Sequence, residues 1–263
     1  DSRELLEPSK DDGTFDDENV LRTWRAMCPA LQERWPEAAR PEQWRGVTIE
    51  NGRVVQLWLQ DFGLTGAVPA EIGQLTSLEQ LYFTNNQLTS LPAEMGRLTA
   101  LRELDLSSNR LTSVPTELGQ LTSLRRLGLR ANQLTSVPAE IGQLTSLKVL
   151  HLKNNRLTIL PAEIGQLTSL EVLWLGYNKL TSVPAEIGQL TSLTYLWLSD
   201  NRMTSVPAVI WQLTSLKVLH LGGNRLTSLP AEIGQLTSLR ELYLSGNQLT
   251  SVPAEIGQLT SLT

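Results

Sequence analysis

The residues of this chain that could take part in chemistry recur in the sequence at a fixed spacing. His151 and His220, the two histidines, are the candidates for metal binding or proton transfer, and aromatic residues hold the equivalent positions beside them: Trp174, Trp197 and Tyr243. If each interval in this series corresponds to one strand of a sheet, the histidines lie about 14 Å apart. Two ligands at that distance cannot share a metal ion.

The sequence offers no other sign of catalysis. Cys28 is the single cysteine and lies far along the chain from both histidines, and neither a Ser–His–carboxylate set nor a phosphate-binding loop is present. Trp197 and Tyr243 flank His220 at equivalent positions, which favours ring stacking over proton transfer. We therefore predict a protein that is not an enzyme and that needs no cofactor and no metal.

The spacing arises from an internal repeat in which Leu78 corresponds to Leu101. Copies begin at Val54, Leu78, Leu101, Leu124, Leu147, Leu170, Leu193, Leu216 and Leu239. All but the first read Leu-x-x-Leu-x-Leu/Phe-x-x-Asn-x-Leu/Met. The alternation of apolar and variable residues predicts a strand with one buried face, and the Asn turns inward to bond backbone groups after the strand. The Pro-Ala-Glu-Ile-Gly-Gln-Leu segment predicts a short helical or 3₁₀ turn.

This pattern resembles that of the leucine-rich repeat proteins. The resemblance implies an α/β solenoid shaped like a horseshoe, with a parallel β-sheet on its concave side and short helical or 3₁₀ turns on its convex side. One copy cannot bury enough apolar surface to fold alone, so stability accumulates along the stack.

Three segments are predicted along the chain. Residues 1–16 are polar and acidic and form a flexible lead-in. Residues 17–53 form a small helical N-terminal cap, with one helix starting at Asp17 and a second over residues 30–35, into which Trp24, Trp35 and Trp44 pack. Residues 54–263 form a solenoid of nine repeats without a recognisable C-terminal cap.

A second resemblance concerns the start of the solenoid. The stretch from Trp44 to Leu59, followed by Gly-Leu-Thr-Gly-Ala-Val-Pro at residues 63–69, is similar to the N-terminal cap and first repeat of plant receptor-type leucine-rich repeat proteins. Ile49 stands where that family has a disulfide-forming cysteine. The resemblance therefore implies the cap geometry without the disulfide.

Composition limits the partner and the compartment. The net charge of −5 gives no electrostatic reason for nucleic acid binding. With one cysteine, no intrachain disulfide can form. The sequence has no apolar run long enough for a membrane segment, no signal-peptide pattern at its start and no Asn-x-Ser/Thr site. Together these features favour a cytoplasmic location over secretion.

Variation between the copies is concentrated on the predicted concave face. The convex Pro-Ala-Glu-Ile segments are nearly identical, whereas the exposed strand positions differ and gain large rings. Two groups stand out there: a basic patch (Arg102, Arg125, Arg126, Arg130, Lys148 and Lys153) and an aromatic strip (His151, Trp174, Tyr177, Tyr195, Trp197, His220 and Tyr243). Exposed Trp, Tyr and Arg are typical of binding hot spots. This distribution resembles the design of variable lymphocyte receptors, which keep a constant framework and diversify the concave sheet.

We therefore predict a recognition module that binds a protein or peptide partner through the concave face. The predicted contact residues are Arg126, Arg130, His151, Lys153, Trp174, Tyr177, Tyr195, Trp197, His220 and Tyr243. The basic patch would steer an acidic partner. In the competing interpretation the rings only cover the sheet and stack on one another.

Four other functions remain open. The aromatic strip could bind a carbohydrate or another small ligand. The last copy is expected to leave Leu249, Val252, Ile256 and Leu259 half open, so the chain could be a scaffold that associates with itself through its C-terminal end. Alternating basic and aromatic residues suit single-stranded nucleic acid, although Glu103 and Asp105 weaken the positive field. Regular Thr positions could bind ice or a crystal surface, although turn hydrogen bonding explains them better.

Overall fold

The computed structural model describes residues 16–263. Two helices come first, α1 (Asp17–Met27) and α2 (Pro29–Arg34), so the predicted helical cap is confirmed. Asp16 caps α1, because its Oδ1 accepts a hydrogen bond from the Asn19 N–H at 3.2 Å. The rest of the predicted lead-in lies outside the described residues. In the part of the chain that is described, no helix has the length and apolar character needed to cross a membrane.

The strands form one long sheet and one short one. Ten strands form the long sheet in the order β1-β2-β4-β6-β7-β8-β9-β10-β11-β12, with β1 antiparallel to β2 and all later pairs parallel, while β3 pairs with β5 in the short sheet. Their bounds are β1 Val47–Glu50, β2 Arg53–Trp58, β3 Thr65–Ala67, β4 Gln80–Tyr82, β5 Gln87–Ser90, β6 Glu103–Asp105, β7 Arg126–Gly128, β8 Val149–His151, β9 Val172–Trp174, β10 Tyr195–Trp197, β11 Val218–His220 and β12 Glu241–Tyr243. This is the predicted concave parallel sheet.

The convex side consists of short 3₁₀ turns, as the sequence predicted. They follow a proline in each copy and span Ala70–Gln74, Ala93–Arg97, Thr116–Gln120, Ala139–Gln143, Ala162–Gln166, Ala185–Gln189, Ala208–Gln212, Ala231–Gln235 and Ala254–Gln258; a further turn, Pro41–Gln43, lies in the cap. In every repeat turn except Ala208–Gln212, where Trp211 takes its place, and the last turn, Ala254–Gln258, a glycine lies near the next copy. A Cβ on Gly73, for example, would lie 2.4 Å from the Glu94 carbonyl oxygen of the next copy.

The cap closes the first end of the apolar core. Trp24, Trp35 and Trp44 are all buried, as expected, and the Trp35 and Trp44 rings stack with centroids 4.8 Å apart. The buried Asp17 carboxylate joins α1 to the first repeat strand, because its Oδ2 accepts from Arg53 Nε at 3.0 Å and from the Val54 N–H at 2.8 Å. An ion pair buried in this way depends on keeping both partners.

A buried ladder of asparagines ties each copy to the one before it. Asn155 shows the pattern: its Nδ2 donates to the Leu152 carbonyl of its own copy and to the Leu129 carbonyl of the preceding copy, and its Oδ1 accepts from the Leu134 N–H at 3.1 Å. The other members make equivalent bonds: Asn86, Asn109, Asn132, Asn178, Asn201, Asn224 and Asn247. The predicted inward role of this residue is confirmed.

Replacing Asn155 by Ala should lower the free energy of unfolding by about 1–3 kcal/mol, the cost of one unsatisfied buried group. The Leu134 N–H loses its partner inside the core, whereas the Leu129 and Leu152 carbonyls each lose one of two bonds and keep those from Asn132 and Asn178. Urea denaturation followed by circular dichroism measures the loss. Asn247→Ala is the matched control: it removes the same three kinds of bond where they are only partly buried, and should cost less. Equal losses would contradict the role assigned to burial.

Candidate recognition surface

Parallel pairing places one residue of every copy in a single line across the concave sheet. We call this line the central column; it runs Trp58, Tyr82, Asp105, Gly128, His151, Trp174, Trp197, His220 and Tyr243. Members of neighbouring strands are about 4.8 Å apart. The central column is therefore the line along which large side chains must touch.

Five consecutive members of the column form a continuous ring stack. Ring centroids are 4.2 Å apart for His151 and Trp174, 5.3 Å for Trp174 and Trp197, 4.7 Å for Trp197 and His220, and 3.8 Å for His220 and Tyr243. The Trp174–Trp197 and His220–Tyr243 pairs are stacked, and the other two are edge-on or tilted. Tyr243 keeps 44% of its surface exposed. The structure thus brings together five of the seven residues of the predicted aromatic strip.

The two remaining residues of the strip lie outside the stack. Tyr195 starts β10, in register with Val172 and Val218, and is 40% exposed without a neighbouring ring. Tyr177 lies after β9, where its ring sits 5.0 Å from Lys153 Nζ and is 51% exposed. The repeat itself places Tyr195 two residues before the central column and Tyr177 three residues after it. The predicted aromatic strip nevertheless grouped all seven residues together, because all of them were expected on the concave side.

Tyr177 occupies a strained backbone position. Its φ is +55°, in the left-handed region, and the equivalent residues in other copies are Asn85, Ser108, Ala131, Asn154, Asp200, Gly223 and Gly246. Small or short polar residues suit this conformation, whereas a bulky L-residue there costs about 1–2 kcal/mol. Strain of this kind collects at functional sites. The structure thus keeps a half-exposed aromatic ring at a position where the other copies have small or short polar residues.

The basic patch is smaller in the structure than in the sequence. Glu79 lies 3.6 Å from Arg102, and Glu171 lies 2.8 Å from Lys148, so both cations have a carboxylate of a neighbouring copy beside them. Arg125, Arg126, Arg130 and Lys153 make no ion pair within residues 16–263. Three of these four cations, Arg126, Arg130 and Lys153, act on His151, at the start of the ring stack.

Burial, with help from this charge, keeps His151 neutral. Burial lowers the pKa of His151 from its usual 6.5 to about 4, helped by Arg130, Lys153 and Arg126 and opposed by Asp105. Burial also lowers the pKa of His220. The hydrogen bond to the Glu241 carboxylate raises the pKa of Tyr243. Within the described residues, His151 Nε2 and the indole nitrogens of Trp174 and Trp197 are buried without a hydrogen-bond partner.

Gly128 interrupts the central column and leaves a hollow. The hollow has a volume of about 280 Å³, and its walls are formed by Tyr82, Asp105, Arg126, Val149, His151 and Trp174. The Asp105 carboxylate leans over Gly128, where a Cβ would lie 2.5 Å from Oδ1. Burial and the Glu103 carboxylate, which accepts its O–H, raise the pKa of Tyr82. Tyr82, Asp105 and Gly128 are not among the contact residues predicted from the sequence. A single glycine in a column of large residues could have indicated the hollow.

The ring stack keeps the two histidines apart from each other. His151 and His220 are separated by the two Trp rings, and no cluster of three or more His, Cys, Asp or Glu residues with metal-site geometry occurs between residues 16 and 263. A second hollow of about 310 Å³ lies beside the stack, between Lys153, Tyr177, Asp200 and Tyr243. Both hollows open on the same concave face.

Tyr177→Asn should leave the free energy of unfolding unchanged or raise it by up to about 1 kcal/mol, because Asn adopts the left-handed conformation at low cost. Ala131→Asn is the control, since it relieves the same strain without removing a ring. Urea denaturation of both variants gives the comparison. If Tyr177→Asn is destabilising while Ala131→Asn is not, the Tyr177 ring has a structural role.

Stability should fall as the pH drops from about 6.5 to about 4 through His151. The pKa of His151 is lower in the folded chain than in the unfolded chain. In this pH range His151 is therefore protonated in the unfolded chain and neutral in the folded chain, so lowering the pH favours unfolding. The contribution of neutral His151 to the free energy of unfolding is fully present above about pH 6.5. His151→Gln should reduce the slope of stability against pH in that window, and an NMR titration of His151 should show a midpoint near 4. A midpoint at 6.5 would contradict the burial of the ring.

Comparison with known proteins agrees with this architecture. The family model described as leucine-rich repeat region matches residues 115–205 and 178–263, and that described as leucine rich repeat matches residues 64–111 and 76–134. A solved leucine-rich repeat protein of Leptospira interrogans is 41% identical over 76% of this chain and 57% of its own, with a TM-score of 0.63.

Two plant structures match almost the whole chain. The Arabidopsis receptor kinase HAESA, in complex with the peptide hormone IDA and the co-receptor SERK1, is 30% identical over 95% of this chain and 45% of its own, with a TM-score of 0.81. A plant ice-binding protein is 28% identical over 94% of this chain and 83% of its own, with a TM-score of 0.79. The chain spans 32% to 57% of the length of the first solved structures that it matches. On its repeats, its fold and these matches, the chain belongs to the leucine-rich repeat family.

Proposed function

We propose that the protein is a non-catalytic recognition module that binds a protein or peptide partner through its concave face. The observation that carries the proposal is the ring stack, His151 to Tyr243, on a solvent-facing column where the repeat imposes no residue type. Buried strand positions hold Leu in almost every copy, so the core does not require rings on the opposite face. Trp and Tyr rings that contribute large contact areas at little entropic cost are typical of binding surfaces.

The charges beside the stack favour an acidic partner. Arg126, Arg130 and Lys153 have no anionic partner in the described part of the chain, and they depress the pKa of His151. An acidic group of the partner would reduce their mutual repulsion and would be drawn towards this end of the face. Binding should therefore weaken as the salt concentration rises.

The relatives support the class of partner without identifying it. Leucine-rich repeat domains are typically recognition modules without catalytic activity, and HAESA is solved in complex with a peptide hormone. This chain matches less than half of that protein, so its own partner is a separate question. A peptide would lie across the strands, where Tyr177 and the ring stack flank the second hollow.

Carbohydrate binding by the same rings is the second candidate. Sugar rings stack on aromatic faces, and the unpaired nitrogens of Trp174 and Trp197 could donate to sugar oxygens if the rings turn. Ice binding has less support, although the chain shares its fold with a plant ice-binding protein. The exposed Thr positions of each copy are regular, but Arg156, Arg202 and other cations lie beside them, and a charged, strongly hydrated surface does not match an ice lattice.

The double substitution Trp174→Ala and Trp197→Ala should abolish partner binding without unfolding the array. Hot-spot truncations cost at least about 2 kcal/mol each, which lowers affinity by a factor of about 30 or more. The control is Trp58→Ala, because Trp58 is 46% exposed in the same column but lies outside the stack. Pull-down from a lysate of the source organism, followed by calorimetry on the captured partner, gives the measurement.

Circular dichroism and thermal melting establish that each variant is folded. A partner captured by the parent chain and by Trp58→Ala but not by the double variant supports recognition through the stack. If all three chains capture the same proteins, the rings only cover the sheet. A loss of binding to a glycan array, with no change in protein capture, would instead support the carbohydrate alternative.

A further inference from the structure

A group of charged side chains encloses a third hollow where strands β6, β7 and β8 begin. This hollow has a volume of about 350 Å³, and we call it the cation hollow; it is lined by Glu79, Gln80, Arg102, Glu103, Arg125, Arg126, Lys148 and Val149. Four of these residues are cations, in a chain with a net charge of −5. The cation hollow is therefore a local reversal of charge on the concave side.

Two of the four cations already have an anionic partner. Arg102 lies 3.6 Å from Glu79, and Lys148 lies 2.8 Å from Glu171. Arg125 and Arg126 are exposed and make no ion pair within residues 16–263. The cation hollow thus presents two guanidinium groups whose charge nothing in the described part of the chain neutralises.

Glu103 lines the cation hollow without pairing with a cation. It is in register with Arg126 on the neighbouring strand, but its carboxylate accepts the hydrogen bond of the Tyr82 O–H. The ion pairs of residues 16–263 do not include Glu103. This carboxylate therefore weakens the positive field of the hollow without closing it.

Carboxylates stand at both ends of the row of cations. The residue after the first Leu in five consecutive copies is Glu79, Arg102, Arg125, Lys148 and Glu171. The N–H of each of the last four donates to the carbonyl of the one before it at 2.8 or 2.9 Å, so the members follow one another at about 4.8 Å. A row of three cations between two carboxylates suits one compact anionic group. A longer polyanion would extend over Glu79 or Glu171.

We propose that the cation hollow binds the phosphate of a phosphorylated serine or threonine in the partner peptide; this inference rests on the proposed function, because the peptide lies on the same concave face. A phosphate ester carries a charge of about −1.5 to −2 at pH 7 and three acceptor oxygens, which matches the two guanidinium groups of Arg125 and Arg126. Each guanidinium can donate two parallel N–H bonds to phosphate oxygens. A carboxylate has a single charge and would leave one of the two arginines uncompensated.

The cation hollow adjoins the hollow over Gly128, which leads to the ring stack. Arg126 and Val149 line both hollows, and Trp174 forms the far wall of the second. Arg126 and Trp174 are two strands apart across the sheet and two residues apart along it, a separation of about 12 Å. An extended peptide covers this distance in about three or four residues. The partner should therefore carry an apolar residue three or four positions from the phosphorylated one, in contact with Trp174.

Single-stranded nucleic acid fits the cation hollow less well than a phosphopeptide. Its phosphates recur along the whole strand, and proteins that bind it use a positively charged groove that follows the backbone. Here the row of cations ends at Glu79 on one side and at Glu171 on the other, so the phosphates on either side of the bound one would be repelled.

The repeat provides the substitutions for the test. In other copies Thr194 holds the position of Arg125, and Gln80 holds the position of Arg126. Both replacements are therefore compatible with the fold. The hollow variant is Arg125→Thr with Arg126→Gln.

Two further variants complete the set. The matched control, Lys217→Thr with Arg240→Gln, removes the same charge from two exposed residues that hold the position of Arg125 in other copies and do not line the hollow. The gain variant is Glu103→Gln, which removes a carboxylate from the hollow. Circular dichroism and thermal melting establish that each variant is folded.

The probe is a library of peptides with a central phosphoserine and one apolar residue, placed in turn at each of the five positions on either side. Each peptide is also made with serine and with O-sulfoserine, and calorimetry measures the affinities. We expect the parent to bind its best phosphopeptide at least about tenfold more tightly than the serine form. The hollow variant should lose this difference, the control should keep it, and Glu103→Gln should bind the phosphopeptide more tightly. Affinity should also fall between about pH 7.5 and 5.5, because the phosphate gains its second proton at a pKa of about 6.

Several results would overturn the proposal. In one, no peptide binds more tightly with phosphoserine than with serine. In another, the hollow variant and the control weaken binding equally, so that net charge alone explains the effect. Equal affinity for the O-sulfoserine form would show that a single negative charge is enough, and tighter binding of oligothymidylate would identify a nucleic acid site. A best peptide whose apolar residue is not three or four positions from the phosphoserine would contradict the contact with Trp174.

The proposed function and this inference can fail separately. Trp174→Ala with Trp197→Ala should weaken binding of the best phosphopeptide but keep the difference between its phosphoserine and serine forms. If the double variant binds the phosphopeptide as the parent does and the hollow variant does not, the phosphate site is correct and recognition through the ring stack is wrong. If a partner captured from the lysate depends on the rings while the library shows no preference for phosphate, the proposed function is supported and the phosphate site is wrong.

Discussion

The asparagine ladder is the interaction on which the rest of the structure depends. Each ladder Asn must bond two carbonyls and one N–H that the chain exposes as it leaves a strand, and two of these three groups belong to the preceding copy. Because the amide is buried, every copy has to meet its neighbour at the same distance and in the same register. A solenoid of constant pitch follows, and no copy can satisfy its own backbone alone.

Because the pitch is constant, residues at the same position of successive copies form a straight line of side chains on the surface. At about 4.8 Å between neighbours, small residues leave gaps, whereas aromatic residues are forced into contact. The ring stack is one consequence and the hollow over Gly128 is another, since a single residue without a side chain opens two strand widths of space. The neutral state of His151 follows from the same geometry, because the Trp174 ring and the cations Arg130 and Lys153 are held beside it.

Sequence reasoning reached the fold because the repeat is read directly from the residues that carry the ladder and the core. The strand positions, the proline before each turn and the buried Trp24, Trp35 and Trp44 follow from local pattern and period. Which surface side chains contact one another was harder to predict. Glu79 beside Arg102 and Glu171 beside Lys148 could have been found by comparing neighbouring copies. By contrast, the position of the Asp105 carboxylate over Gly128 depends on a side-chain rotamer that the repeat does not encode.

The ladder also makes the two outer surfaces independent of each other. The central column precedes the Asn, and an exposed residue such as Arg156 directly follows it in each copy. The backbone between these two positions is therefore fixed by buried bonds that neither surface supplies. A change of residue on one side therefore does not propagate to the other, and both can be adapted without repacking the core. The left-handed residue before each Asn is the exception, because its conformation is set by the ladder while its side chain points to the ligand side. Tyr177 is where the two requirements conflict: the ladder favours a small or short polar residue there, and the copy keeps a ring. That conflict, more than the exposure of any single residue, supports the proposal that the concave face of this copy binds a partner.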